Sequence, residues 1–289
     1  MNHSPIPIAI IGGSGIYQFP GLSNTVEHVV QTPYGDPSDA ILTGTLGKVP
    51  LAFLPRHGRH HSIAPSALPY RANIYALKSL GVRWVISLSA VGSLKEKYQP
   101  RDFLIPLQFF DRTKNTQHHS FFERDIVAHA SFGDPVCARL ASMLFQSAGA
   151  AGARCHWGGT YVNMEGPVFS TRAESEFHRR MDFDVVGMTN LAEAKLAREA
   201  EMSYATVSMI TDYDCWHENE SEVRVSDVVA ILHDNAELAT ETVKRAVQSL
   251  DHTENTPCHS SLANAIATPR QHWPETQIKK LGPLIEKYL

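Results

Sequence analysis

The stretch IPIAIIGGSGIY, residues 6–17, decides the fold. Ile6–Ile11 is a short β-branched apolar run that breaks into Gly12, Gly13 and Gly15, the mark of a buried strand ending in a tight turn. Glycines let the backbone approach an anion closely, and Ser14 adds a hydroxyl and an amide. No Gly-Lys-Ser/Thr follows, so this is not a Walker loop. Gln18 also stands where the last glycine of a dinucleotide fingerprint belongs. By itself the loop reads as a tight turn at a strand end.

The same strand-into-turn signature recurs at Val49–Leu54, Trp84–Ser89, Phe103–Phe110, Tyr161–Met164, Val185–Met188 and Ala205–Ile210. Helical patterns fill several intervals: Ser66–Leu80 stops at Gly81, Pro135–Ala148 stops at Gly149, and Asn190–Ala200 is short and alanine-rich. Ser226–Leu250 is the clearest helix, with Ser226 as N-cap and Val229, Leu232, Ala236, Ala239, Val243, Ala246 and Leu250 at spacings of three and four. Strands alternating with helices predict an α/β fold, a single domain over residues 1–250 with a central mixed β-sheet flanked by helices. The polar stretch Asp251–Ser260 reads as a linker to a tail, Ser261–Leu289, that packs back on the same domain.

Composition narrows the function. The chain has 289 residues, 43% apolar and 19% charged, so it can bury a large core without disulfide or metal staples. A formal net charge of −4 gives no basic field, which argues against a nucleic-acid partner. Cys137, Cys155, Cys215 and Cys258 are scattered and form no CxxC pair, which excludes a zinc ribbon and implies no disulfide framework. The N-terminus has no basic region before its apolar run, and no apolar run reaches the ~18 residues of a membrane helix. The expectation is a cytoplasmic protein with no membrane partner.

Chemistry-bearing residues stand at the strand ends. PRHGRHH, residues 55–61, puts Arg56 and His57 where a planar guanidinium fork can clamp a phosphate. His57, His60 and His61 also invite a zinc reading, but no nearby Cys or carboxylate completes a known spacing, and solvated surface histidines are the commoner account of the last two. SLSAVGS, residues 87–93, offers the Ser89 hydroxyl and the Ala90 amide to an anion, or is a plain strand-to-turn junction. NMEGPVFSTRAES, residues 163–175, carries Glu165 into a Gly-Pro turn ahead of a helix capped around Ser170 and Thr171. A buried Glu165 would accept hydrogen bonds from a sugar diol, and its structural alternative is an ion pair with Arg172. In ITDYDCW, residues 210–216, Asp212 and Asp214 would share a face of a continued strand and split their pKa values, leaving one as a general acid. A cation site or a helix cap is the competing account.

Taken together, IGGSGIY, TPYGDPSDA, RHGRHHSIAPS, YRANIYALK, SAVGSL, DRT, EGPVFSTRAES, GMTNLAEAKLAREA and TDYDCW resemble the methylthioadenosine phosphorylase branch of the trimeric purine nucleoside phosphorylases. The resemblance runs over roughly residues 8–250. It implies a nucleoside phosphorylase-like fold with Ser14, Arg56, His57, Ser89, Ala90 and Thr189 around phosphate. It also implies Met188 on the ribose hydroxyls, and Phe169 and Ser170 beside the base. Asp212 and Asp214 would be the catalytic pair facing the purine N7 and 6-amino edge. Val225, Val228 and Val229 would line the 5' pocket, and His129 would enter the neighbouring pocket of a homotrimer. The implied partners are phosphate and 5'-methylthioadenosine, with no cofactor and no metal. Where some relatives carry Cys-x-Cys in the tail, this chain reads Cys258-His259-Ser260.

The chemistry agrees with the resemblance. Cleaving an N-glycosidic bond builds positive charge on ribose and negative charge on the purine. A phosphate dianion beside C1' and a protonated Asp212 at N7 relieve the two. The rivals are a 6-oxopurine or methylthioinosine phosphorylase, a hydrolytic nucleosidase, and a non-catalytic nucleotide sensor. Paired aspartates suit a 6-amino base better than a 6-oxo one. A hydrolase would leave the Arg56/His57 clamp without purpose, and a sensor would not need Asp212 together with the phosphate residues.

Overall fold

A computed structural model describes residues 5–116, 119–217 and 225–289, leaving out the side chains of residues 225–227. In chain order the elements are β1 (Ile8–Gly12), β2 (Ser23–His28), β3 (Ile41–Leu46), β4 (Val49–Pro55), α1 (Tyr70–Ser79), β5 (Trp84–Ser93), β6 (Phe103–Ile105), β7 (Gln108–Asp111), α2 (Ala138–Ala150), β8 (Cys155–Trp157), β9 (Thr160–Asn163), α3 (Arg172–Arg180), β10 (Val185–Gly187), α4 (Asn190–Glu199), β11 (Ser203–Asp212), α5 (Val225–Ser249) and α6 (Glu275–Leu281). Among the described residues the strands join one mixed sheet, in the order β2-β3-β4-β1-β5-β10-β9-β7, with β11 on the other edge of β5 and leading to β6 and β8.

β1 is apolar throughout because it lies between two parallel strands, β4 and β5, under cover on both faces. Its side chains alternate. Ile8 and Ile10 face a core with Leu140 and Leu144 of α2 and Leu232 and Val243 of α5. Ala9 and Ile11 face a second core with Ile74 and Leu77 of α1, Leu196 of α4, and Leu281 and Leu284 of the tail. Each fully buried isoleucine contributes roughly 1.5–3 kcal/mol. The expected α/β fold with a central mixed β-sheet flanked by helices is present.

Some boundaries differ from the sequence expectation. The run expected over Phe103–Phe110 is two strands, because Pro106 has no N–H to donate. β6 pairs with β11 and β8, whereas β7 pairs with β9. β2, β3 and β8 had no counterpart in the sequence reading. The stretch read as a linker is held in place. The Arg83 guanidinium donates to the carbonyls of His252 and Glu254, each at 3.3 Å, and Trp84 Nε1–H donates to the His252 carbonyl at 3.1 Å. Beyond it the tail braces residues 127–129: the Thr268 hydroxyl accepts from the Val127 N–H, and the Ala265 carbonyl accepts from the His129 N–H. No helix among the described residues is long and apolar enough to cross a membrane.

Candidate active site

The sheet opens along one edge of β5. β1 pairs with it as far as Ser87, and β10 joins the same edge only at Gly92. Leu88–Val91 therefore lack a strand partner there among the described residues, while β11 covers the opposite edge. The glycine loop after β1, Arg56 after β4, Thr189 after β10 and Asp212 at the end of β11 all arrive at this opening. A crevice at the carboxyl ends of strands is where open α/β sheets place ligands.

One end of the opening is built on Arg56, whose side chain is 1% exposed. Its backbone N–H donates to the Gly12 carbonyl at 2.8 Å, continuing the β1–β4 pairing. Nε donates to Glu193 Oε1 at 2.5 Å, Nη2 to Glu193 Oε2 at 3.1 Å and to Ser87 Oγ at 2.5 Å, and Nη1 to the Leu88 carbonyl at 3.0 Å. Burial works against the guanidinium's charge, but Glu193 more than offsets this and holds its pKa above the ordinary value. Gly13 lies directly over Arg56: a Cβ there would sit 2.7 Å from Nη1 and 2.4 Å from the Leu88 oxygen. Only glycine lets the loop come this close.

His57 is buried, and Nδ1 lies 2.8 Å from the Ile63 carbonyl oxygen. A carbonyl only accepts, so Nδ1 carries the proton and Nε2 is bare. Burial, reinforced by the charge of Arg56, pushes the imidazole pKa down to about 4. Its ring stacks on His61 at 4.3 Å. Ser89 and Thr189 are buried, and Ser14 and Ala90 are half-buried. Thr189 is the N-cap of α4 but its hydroxyl makes no capping bond.

The other end of the opening holds two carboxylates. A Cβ on Gly92 would lie 2.8 Å from Asp212 Oδ1 and 3.4 Å from Asp214 Cβ, so both residues crowd this glycine. The two do not share a strand face, because β11 stops at Asp212 and Asp214 adopts φ +52°. Instead the Asp214 N–H donates to Asp212 Oδ1 at 2.8 Å, a local turn typical of aspartate. Asp212 Oδ2 accepts from the Thr211 hydroxyl at 2.7 Å, and that hydroxyl also lies 3.2 Å from the Val91 carbonyl. Thr211 can donate to either. Asp214 is buried, and burial raises its pKa, with the hydroxyls of Ser175 and Ser170 opposing the rise. Ser170 closes the group, its carbonyl 3.4 Å from Cys215 Sγ, and the neighbouring Phe169 is 41% exposed.

Met188 borders a surface cleft shared with Asn163, Glu165, Thr113, Asn115 and His119. Glu165 is half-buried, not buried as its strand-end position implied, and one oxygen accepts from the Lys114 N–H at 3.0 Å. The first turns of α5 flank the glycine loop, since a Cβ on Gly15 would meet Leu232 at 3.1 Å. Val228 is half-buried and Val229 is 49% exposed, while the side chain of Val225 lies outside the described residues. His129 is exposed, on the segment braced by the tail. Sequence reasoning passed over Glu193, Asn190 and Tyr204, which lie beneath Arg56. The signal was faint: a carboxylate on the buried face that Asn190, Glu193 and Ala197 share along α4.

Fold and site define a class, and the chain belongs to the phosphorylase superfamily, whose sequence model matches residues 7–248. Within it, the chain is 48% identical to S-methyl-5'-thioadenosine phosphorylase of Geobacter sulfurreducens, over 98% of this chain and 99% of that one. It is 51% identical to that of Koribacter versatilis, over 97% and 96%. A methylthioadenosine phosphorylase crystal structure from an antarctic soil metagenomic library superposes with a TM-score of 0.92 at 45% identity, covering 98% of this chain and 99% of that one. The Schistosoma mansoni methylthioadenosine phosphorylase in complex with adenine gives 0.81 at 36% identity, covering 86% and 93%.

Proposed function

We propose that this protein cleaves 5'-methylthioadenosine with inorganic phosphate, giving adenine and 5-methylthioribose-1-phosphate. The observation that carries it is the opening along β5, with anion-binding groups at one end and a carboxylate pair at Gly92 at the other. Phosphate sits among Ser14, Arg56, His57, Ser89, Ala90 and Thr189, and a phosphate oxygen attacks C1' as the glycosidic C–N bond breaks. The bonding electrons go to the purine, which takes a proton at N7 from the Asp212–Asp214 pair. Burial raises the pKa of Asp214 and so favours its protonated form. Asp212 hands over the N7 proton while Asp214 accepts from the 6-amino group. Phe169 and Ser170 flank the base, and Met188 meets the ribose hydroxyls. Val225, Val228 and Val229 receive the methylthio group.

The same reading makes the protein a homotrimer in the cytoplasm. Exposed Val168, Phe169, Phe177 and Met181 beside the site are the apolar surface a second subunit would cover, and the exposed His129 would reach into that subunit's pocket. The four cysteines are free, as a reducing compartment keeps them. Adenine release from 5'-methylthioadenosine, followed by absorbance with and without phosphate, tests the activity. Release that requires phosphate supports phosphorolysis, and release at the same rate without phosphate makes the protein a hydrolase.

A further inference from the structure

The polar groups beneath Arg56 form a closed network whose protons can be counted. Glu193 Oε2 accepts from Arg56 Nη2, from the Ser87 hydroxyl at 3.0 Å and from the Tyr204 hydroxyl at 2.9 Å. Asn190 Nδ2 donates to Ser87 Oγ and to Tyr204 Oη, both at 2.9 Å. With both hydroxyl protons aimed at Glu193, the Asn190 amide has only one orientation that fits. Burial and the adjacent carboxylate keep the Tyr204 phenol protonated, so it acts as a donor here. Glu193, Asn190, Ser87 and Tyr204 are all buried. Four of the five Arg56 N–H protons are thereby placed, on Glu193 Oε1, Glu193 Oε2, Ser87 Oγ and the Leu88 carbonyl. Among the described residues one Nη1–H is left without an acceptor, on the nitrogen that lies under Gly13.

We infer that Glu193, supported by Tyr204 and Asn190, is the positioning residue of the phosphate clamp. It fixes the guanidinium so that its one uncommitted N–H meets an anion held against the glycine loop. Because Glu193 neutralises Arg56, the clamp supplies a directed hydrogen bond more than a net positive charge. Asn190 and Glu193 belong to the first turn of α4, next to Thr189, so the same turn sets Arg56 and the Thr189 hydroxyl relative to each other. This inference rests on the reading that phosphate binds at Arg56.

The test measures the KM for phosphate and for 5'-methylthioadenosine in Arg56→Ala, Glu193→Gln and Tyr204→Phe. A merely structural role would lower the amount of active enzyme without separating the two constants. A positioning role raises the phosphate KM about tenfold in Glu193→Gln and about threefold in Tyr204→Phe, with the nucleoside KM within about twofold of wild type. Should Glu193→Gln fail to fold, Tyr204→Phe decides alone, since it removes one hydroxyl and keeps the ring. If Arg56→Ala raises the phosphate KM while the folded network variants leave it unchanged, the inference is wrong and Arg56 holds itself. If Arg56→Ala leaves it unchanged, the phosphate reading itself fails.

Discussion

Replacing Gly13 by alanine puts a methyl group 2.4 Å from the Leu88 carbonyl oxygen, 3.3 Å from its carbon and 2.7 Å from Arg56 Nη1. Neither neighbour yields easily. Leu88 belongs to β5, which is paired along its length with β11, and the guanidinium is tied to Glu193, Ser87 and Leu88. The glycine loop must give way instead, by about 1 Å to restore ordinary contact, and overpacking of this kind costs about 1–3 kcal/mol. At about 1.4 kcal/mol per decade, a penalty felt in anion binding weakens phosphate by about 5- to 140-fold. Any share that falls on folding lowers Tm by roughly 2–4 °C per kcal/mol. Initial rates against phosphate at saturating 5'-methylthioadenosine give the KM, and a thermal melt gives the fold. Gly133→Ala serves as control, since a Cβ there meets nothing within 4 Å. A phosphate KM in Gly13→Ala that stays within about twofold of wild type refutes the placement of the anion under this loop.

Asp212→Asn keeps a hydrogen-bonding group of the same shape but no acid, so kcat/KM for 5'-methylthioadenosine should fall by about 100-fold or more, with methylthioinosine losing less. Equal losses on the two substrates mean that Asp212 does not read the base. Glu199 accepts from the Phe121 N–H at 2.6 Å and the Ser120 hydroxyl at 2.8 Å, yet burial pushes its carboxyl up to about 7 from 4.5. A folded pKa above the unfolded one means stability that is fully present below pH ~4.5 and lost as pH rises through about 7, on the order of 3 kcal/mol at most. Measured by denaturant melts, Glu199→Gln should gain on wild type across that window and run parallel to it above. A difference that does not change with pH contradicts the shift.

What the sequence made legible were features carried by local pattern. β1 and its glycine loop, the strand ends with Arg56 and Asp212, and the long α5 follow from periodicity and turn chemistry. So does the cap of α3, where the Thr171 hydroxyl and Glu174 bond reciprocally. Ser89, expected at a strand end, lies inside β5, which runs on to Ser93 because β11 pairs with it as far as Gly92. β2 escaped because SNTVEH is exposed up to its last residue, His28, and shows no alternation. β3 carries Gly44 in its middle, and β8 is only three residues long. Glu193 escaped for a different reason: it meets Arg56 from 137 positions away, and a glutamate in an alanine-rich helix ordinarily faces water. The turn that brings Asp214 N–H onto Asp212 was likewise hidden, because a continued strand and a sharp turn fit the same TDYD.

The central claim is that phosphate, not water, displaces the purine. Turnover of 5'-methylthioadenosine with heavy-oxygen-labelled phosphate, followed by mass spectrometry of the sugar product, tests it most directly. The account predicts 5-methylthioribose-1-phosphate that keeps every labelled oxygen, formed one for one with adenine, because a phosphate oxygen bonds to C1' and no phosphorus–oxygen bond breaks. Free methylthioribose without label, released alongside adenine, would contradict it.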